Sequence, residues 1–191
     1  MLVLGIETST PQASVAIGSE QGVVASAMVS RGANYNEFLL PAVKFCLDEA
    51  GLGYRNLGGV AVGLGPGLFT GMRVGVATAK ALAQTLSLPI VGMSSLDLVA
   101  YEVRHTSKTI CAVLDARRNE VFYAFYRPSP GGIQRRLPVG VVLALRNRPR
   151  RVVLRGPVRP ARARRPDPGV DPRMVEQLLG RPRNAVAVER I

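Results

Sequence analysis

Residues 63–93 read GLGPGLFTGMRVGVATAKALAQTLSLPIVGM, and the fold is decided there. The stretch opens with Gly63-Leu64-Gly65-Pro66-Gly67, a tight shaped connection, because glycine lets other backbone approach closely and enters φ > 0 freely. Leu68 to Ser87 is rich in good helix formers and has no internal proline, which predicts a helix of about five turns. Pro89 then starts the short apolar run Ile90–Met93, a predicted strand. On the helix, Gly71, Gly75, Ala79 and Ala83 recur every four residues and share one face. Small residues in a row let another element come in close. Such a stripe packs either inside its own domain or against another molecule, and the sequence leaves both open. Met72, Val76 and Leu82 lie beside it, while Arg73, Lys80 and Gln84 mark a wetter face.

Working outward, Leu2–Glu7 alternates as a strand, Thr8–Gln12 turns, and Ser14–Gly18 and Val23–Ser30 form two more strands. The connections are too short for crossovers, so the three form an antiparallel meander. Asn34 is a candidate N-cap, with Glu37 at the capping-box position. The helix it opens passes Pro41 and stops at Gly51. Leu57–Leu64 carries consecutive apolar residues and reads as a strand buried on both faces. Leu96–His105 is a third helix. The order β-β-β-α-β-α-β-α predicts an α/β domain with helices on a mixed sheet, residues 1–107. The pattern restarts with Thr109–Asp115, a turn, and Glu120–Arg127. Both halves open with strand, carboxylate, turn, strand, so a related second domain begins at 108–130.

Residues 131–191 differ from the rest. They hold 15 Arg, no Lys, 4 acidic residues, 8 Pro and no aromatic residue, whereas residues 1–130 are nearly neutral with 10 basic and 9 acidic side chains. Of the formal charge of +12, +11 therefore belongs to this divergent or disordered tail. Val139–Leu145 and Val152–Leu154 are candidate strands, Met174–Leu179 a short helix, and Arg159–Pro172 disordered. The composition is also that of a GC-rich gene read out of frame, a hypothesis that resequencing the locus would test. An arginine-rich tail without aromatic residues can hold tRNA only electrostatically and without sequence preference.

Chemistry-bearing motifs are few. His105 is the single histidine, so paired-histidine metal sites are excluded, and no metal site or catalytic residue is assigned. Cys46 and Cys111 lie in apolar surroundings and read as buried free thiols. Neither a phosphate-binding lysine loop nor G-x-S-x-G is present. Glu7, Thr8, Ser9 and Asp115 are the strand-end groups able to face a nucleotide. There, carboxylates hold a metal–phosphate and hydroxyls hydrogen-bond phosphate oxygens. The alternative is that they are polar residues in turns. No apolar run is long enough to span a membrane, and the alternating N-terminus reads as the first strand of a cytoplasmic protein.

Five blocks carry a family resemblance: Gly5-Ile-Glu-Thr-Ser9, Asn36-Glu-Phe-Leu-Leu-Pro41, Gly65-Pro-Gly-Leu-Phe-Thr-Gly-Met-Arg73, Ser94-Ser-Leu96 and Asp115-Ala-Arg-Arg-Asn-Glu-Val121. Together they resemble the TsaB (YeaZ) family, over about residues 1–128. The resemblance implies an actin/Hsp70/sugar-kinase-like (ribonuclease H-like) fold of two related domains. It implies a noncatalytic scaffold in the complex that forms N6-threonylcarbamoyladenosine beside the anticodon of tRNAs reading codons that start with A. The implied partners are the TsaD catalytic subunit and the TsaE ATPase, with a homodimer when alone and tRNA reached through the complex. The implied nucleotide cleft (Glu7, Thr8, Ser9, Asp115) is degenerate, with no tightly bound cofactor and ATP or ADP entering only in the complex. The implied partner surface is Asn34–Ala50 and Leu68–Leu86, with Leu39, Leu40, Val43, Gly71, Met72, Gly75, Val76, Ala79 and Ala83 at the contact. Two other readings stay open: a stand-alone ATP-dependent phosphotransferase of the same superfamily, and a tRNA-binding module acting through the basic tail.

Overall fold

The structure is a computed structural model. It describes residues 1–30, 35–117, 120–136, 139–144, 152–155 and 185–190. The chain divides into two compact units, Met1–Ser95 and Leu96–Ile191.

In the first unit, β1 (Leu2–Glu7), β2 (Gln12–Ser19) and β3 (Gly22–Ser30) form the expected antiparallel meander. After them come α1 (Tyr35–Glu49), a 3-10 turn (Tyr54–Asn56), β4 (Leu57–Gly63), α2 (Phe69–Thr85) and β5 (Ile90–Met93). The strand order is β3-β2-β1-β4-β5, with β4 parallel to both β1 and β5. This is a mixed sheet with helices packed on it, as the element order predicts. The alternation of β1 and β2 sends Leu4, Ile6, Val15 and Ile17 to one sheet face. There they join Val60 and Val62 of β4 under Leu39, Val43, Cys46 and Leu47 of α1 and Ala79 and Ala83 of α2. Burying a side chain of the leucine or isoleucine class contributes about 1.5–3 kcal/mol, so this layer holds the unit together.

Both helices end in the same way. Gly51, at φ 65°, lets the Leu52 N–H reach the Leu47 carbonyl at 2.9 Å. Ser87, at φ 53°, does the same for Leu88 and the Ala83 carbonyl at 2.8 Å. These bonds satisfy carbonyls that the helix leaves open. The sequence signals Gly51 but not Ser87, which occupies a left-handed position without being glycine.

The second unit starts with α3 (Ser95–Tyr101), whose first residue is the last of the first unit. Leu96, Val99 and Ala100 pack on Ile110, Leu114 and Tyr126, so this helix belongs to the second core and the boundary falls before the expected 107. The sheet comprises β6 (Thr109–Arg117), β7 (Glu120–Ser129), β8 (Gly132–Arg135), β9 (Gly140–Ala144), β10 (Val152–Arg155) and β11 (Ala185–Arg190). Its order is β10-β9-β7-β6-β11, with β8 on β7 and β11 parallel to β6. The two expected tail strands are therefore present as β9 and β10, and β11 adds one that sequence reading missed. Arg159–Pro172 and Met174–Leu179 lie outside the described residues. Tyr126 donates from its buried ring to Asp97 Oδ1 at 2.7 Å, and Arg135 Nε donates to the same oxygen at 3.1 Å, which ties α3 to the β7–β8 hairpin. Burial and that carboxylate push the Tyr126 phenol well above its ordinary range.

The two units share one local feature. Glu7 Oε1 accepts the Ser9 N–H at 2.6 Å, and Asp115 Oδ1 accepts the Arg117 N–H at 2.7 Å. In each first strand a carboxylate thus accepts the N–H two residues on, at the last residue of β1 and two residues before the end of β6.

Candidate functional site

Glu7, Thr8 and Ser9 meet the glycine turn at the end of β1. The Ser95 hydroxyl donates to Glu7 Oε2 at 2.9 Å and accepts from the Ser9 hydroxyl at 2.8 Å. The Leu68 N–H donates to the Ser9 carbonyl at 2.6 Å, and the Ser95 N–H donates to the Gly65 carbonyl at 2.8 Å. The Thr8 hydroxyl donates to the Gly71 carbonyl at 2.8 Å. Thr8, Ser9 and Ser95 are buried. Each polar group therefore has a partner inside the unit, and both Glu7 oxygens are engaged. The trio fastens β1 to the Gly65–Gly67 turn, which holds a cis Gly65–Pro66 bond, and to the start of α2. Of the groups assigned to a nucleotide cleft, Asp115 belongs to the second unit, where it is exposed and paired with Arg117 at 3.9 Å. Among the described residues no three His, Cys, Asp or Glu side chains cluster in a way that could hold a metal.

The glycines of α2 and of the turn before it explain the fit. A Cβ on Gly67 would lie inside 3.0 Å of the Ser9 carbonyl, one on Gly71 inside that distance of the Thr8 carbonyl, and one on Gly75 inside it of the Thr8 hydroxyl. Real Cβ atoms do not come so close, so the helix seats against β1 only because side chains are missing there. Ala79 and Ala83 continue the same face into the core. The stripe is thus an internal packing surface. This corrects the expected partner surface: Gly71, Gly75, Ala79 and Ala83, with Leu39 and Val43 of α1, are buried in their own unit and present nothing to another molecule. Met72 and Val76 are half-buried at the border. Leu40 alone of the expected contact residues is open, at 52% exposure.

An outward surface exists, turned away from that stripe. α1 and α2, with the 3-10 turn, enclose a groove of about 540 Å³ lined by Leu40, Tyr54, Ala77, Ala81, Leu82 and Leu86, with Thr78 and Thr85. Ala77 and Ala81 form a second small-residue row, exposed where the glycine row is buried. Arg73, Lys80 and Gln84 are solvent-facing as the sequence indicated, and Lys44 pairs with Asp48 at 2.6 Å on the wet side of α1. A groove with small residues on its floor and apolar side chains on its rim admits a helix of a partner. The sequence held a signal for it: Ala77 and Ala81 repeat at the same spacing as the glycines, displaced around the helix.

Residues 18–134 match the family model described as TsaD, tRNA N6-adenosine threonylcarbamoyltransferase. The chain is 31% identical over 186 residues to the tRNA threonylcarbamoyladenosine biosynthesis protein TsaB of Bacillus subtilis, an alignment covering 94% of this chain and 77% of that protein. It is 33% identical over 135 residues to the Escherichia coli protein of the same name, covering 70% of this chain but 58% of the relative. Among solved structures, YeaZ from Pseudomonas aeruginosa superposes with a TM-score of 0.69 at 30% identity, over 76% of this chain and 68% of that one. By these alignments and this superposition the chain belongs to the TsaB (YeaZ) family.

Proposed function

We propose that this chain is a noncatalytic scaffold in the formation of N6-threonylcarbamoyladenosine in tRNA, and that it acts by docking a TsaD-type catalytic subunit in the α1–α2 groove. The observation that carries the reading is the groove itself, an exposed apolar trough with the Ala77–Ala81 row on its floor. A second observation supports it. Glu7, Thr8 and Ser9 spend their polar groups on the fold, which leaves them poor ligands for a metal–phosphate. In this reading the same trough accepts a second copy of the chain when TsaD is absent. TsaE and any ATP or ADP join once TsaD is bound, and tRNA is reached through the assembled complex in the cytoplasm. Among the described residues no helix is long and apolar enough to cross a membrane.

The test is a titration of TsaD against the intact chain and its Ala81→Asp variant. Ala81 is exposed, so the change leaves the core untouched while placing a charge on the groove floor. A desolvated, unpaired charge at an interface is strongly unfavourable, and binding should weaken at least tenfold. Unchanged affinity for TsaD refutes the groove as the docking site.

A further inference from the structure

We infer that the helix entering the α1–α2 groove carries two carboxylates on the flank that runs along α2, and that Arg73 and Lys80 select it by charge. This rests on the groove as the docking site for TsaD and names the chemistry of the segment docked there. α2 (Phe69–Thr85) holds two charged side chains, both cationic and both exposed. On a helix, an acidic residue three or four positions away would neutralise each of them. Those positions hold Phe69, Thr70, Val76 and Ala77 around Arg73, and Val76, Ala77, Ala83 and Gln84 around Lys80. The Arg73 guanidinium lies over the Phe69 ring, 5.3 Å from its centroid, a contact that leaves the charge in place. Neither cation has a salt-bridge partner among the described residues. α1 is built differently: its Lys44 has Asp48 one turn on and bonds it at 2.6 Å.

Both cations border the groove's floor. Arg73, Ala77 and Ala81 recur every four residues, and Lys80 follows Ala77 by three. Across that row Leu82 and Leu86 are half-buried and pack on the core, whereas Arg73, Lys80 and Gln84 are exposed. A helix lying on Ala77 and Ala81 therefore sets its apolar face against Leu40, Tyr54 and Leu82 and one flank along the two cations. Arg73 and Lys80 are two turns apart, about 10.5 Å along the axis. Residues two turns apart on the incoming helix return to nearly the same face at the same rise, so an Asp or Glu pair at that spacing meets both cations at once. Helices that cross at about 20° stay alongside each other far enough for both pairs to form. Opposite charges at the rim of an apolar contact steer the encounter and fix its register, while like charges reject wrong partners.

The experiment titrates TsaD against the intact chain, Lys80→Glu, and Arg73→Glu combined with Lys80→Glu, at about 0.05 M and about 0.5 M NaCl, with circular dichroism to confirm folding. Ala81→Asp in the same series reports on the groove itself. At low salt the double reversal should weaken binding about tenfold, mostly through a slower on-rate, and high salt should close most of that gap. A scan of TsaD surface carboxylates changed to Lys should contain one that restores binding to Lys80→Glu. If Ala81→Asp abolishes binding while both reversals bind as the intact chain does, the groove stands and the charge selection is refuted. If Ala81→Asp also binds unchanged, the groove reading fails and takes this inference with it. A reversal that instead weakens self-association or direct tRNA binding, with TsaD affinity unmoved, gives the cations another occupant and overturns the inference.

Discussion

Gly75→Ala separates the two possible meanings of the small-residue stripe, because its effect has opposite signs under them. A glycine inside a helix costs about 1 kcal/mol relative to alanine, so on an open face the substitution stabilises by that amount. On the face observed here, the new methyl meets the hydroxyl of Thr8, a residue with 0% exposure and no room to retreat. Overpacking of this kind costs about 1–3 kcal/mol. Pushing the hydroxyl aside also strains its bond to the Gly71 carbonyl, worth about 0.5–1.5 kcal/mol net. Taking central values, the sum is a loss of about 2 kcal/mol. Urea unfolding gives the total, and hydrogen exchange at the β1 and β4 amides assigns it to the first unit. Thr8→Ala supplies the control. It removes the hydroxyl, so Gly75→Ala should cost much less in that background, with a coupling energy of about 1–3 kcal/mol. Stabilisation by Gly75→Ala in the wild-type background would refute the reasoning, since propensity alone would then be acting and the glycine face would be open to a partner. By the same geometry Gly75→Leu damages the fold and cannot serve as a docking variant.

Two further outcomes follow from buried polar chemistry. Ser95→Ala removes a donor to Glu7 and the acceptor for Ser9, and should lower the stability of the first unit by about 1–3 kcal/mol while leaving TsaD affinity unchanged; loss of TsaD binding from a chain of undiminished stability would contradict the purely structural role given to this cluster. Burial pushes the Cys111 thiol from its ordinary 9.0 up to about 12, so the folded chain keeps the proton that the unfolded chain gives up first. Its contribution is constant below 9.0 and is lost as pH rises from 9.0 towards about 12, so the pH slope of unfolding in that window should flatten in Cys111→Ala; identical slopes would show that the thiol is not desolvated.

How much of this was legible without coordinates depends on which physical quantity the sequence encodes. Strand alternation is a local property, and Leu2–Glu7 and Ile90–Met93 came out with their observed bounds. The meander followed from connection length, and the carboxylate repeat from matching Glu7 with Asp115. The facing of the stripe was different in kind. Spacing says that Gly71, Gly75, Ala79 and Ala83 share a face, but only the path of β1 beneath α2 says what that face meets. The composition nevertheless held a clue. Where the Thr8 carbonyl and hydroxyl press on the helix, even alanine is too large, and the two glycines mark the turns that sit over Thr8. On the open face nothing presses so close, alanine suffices, and Ala77 and Ala81 line the groove. Glycine in a helix interior carries a propensity penalty that alanine avoids, so a helix bearing both rows uses glycine only where contact distance compels it. That rule marks the half of the internal row, Gly71 and Gly75, that lies over Thr8, whereas Ala79 and Ala83 of the same row pack in the core. It also explains why the first β1 turn is both polar and buried: the glycines bring it close enough to α2 for Thr8 and Ser9 to find backbone partners instead of water.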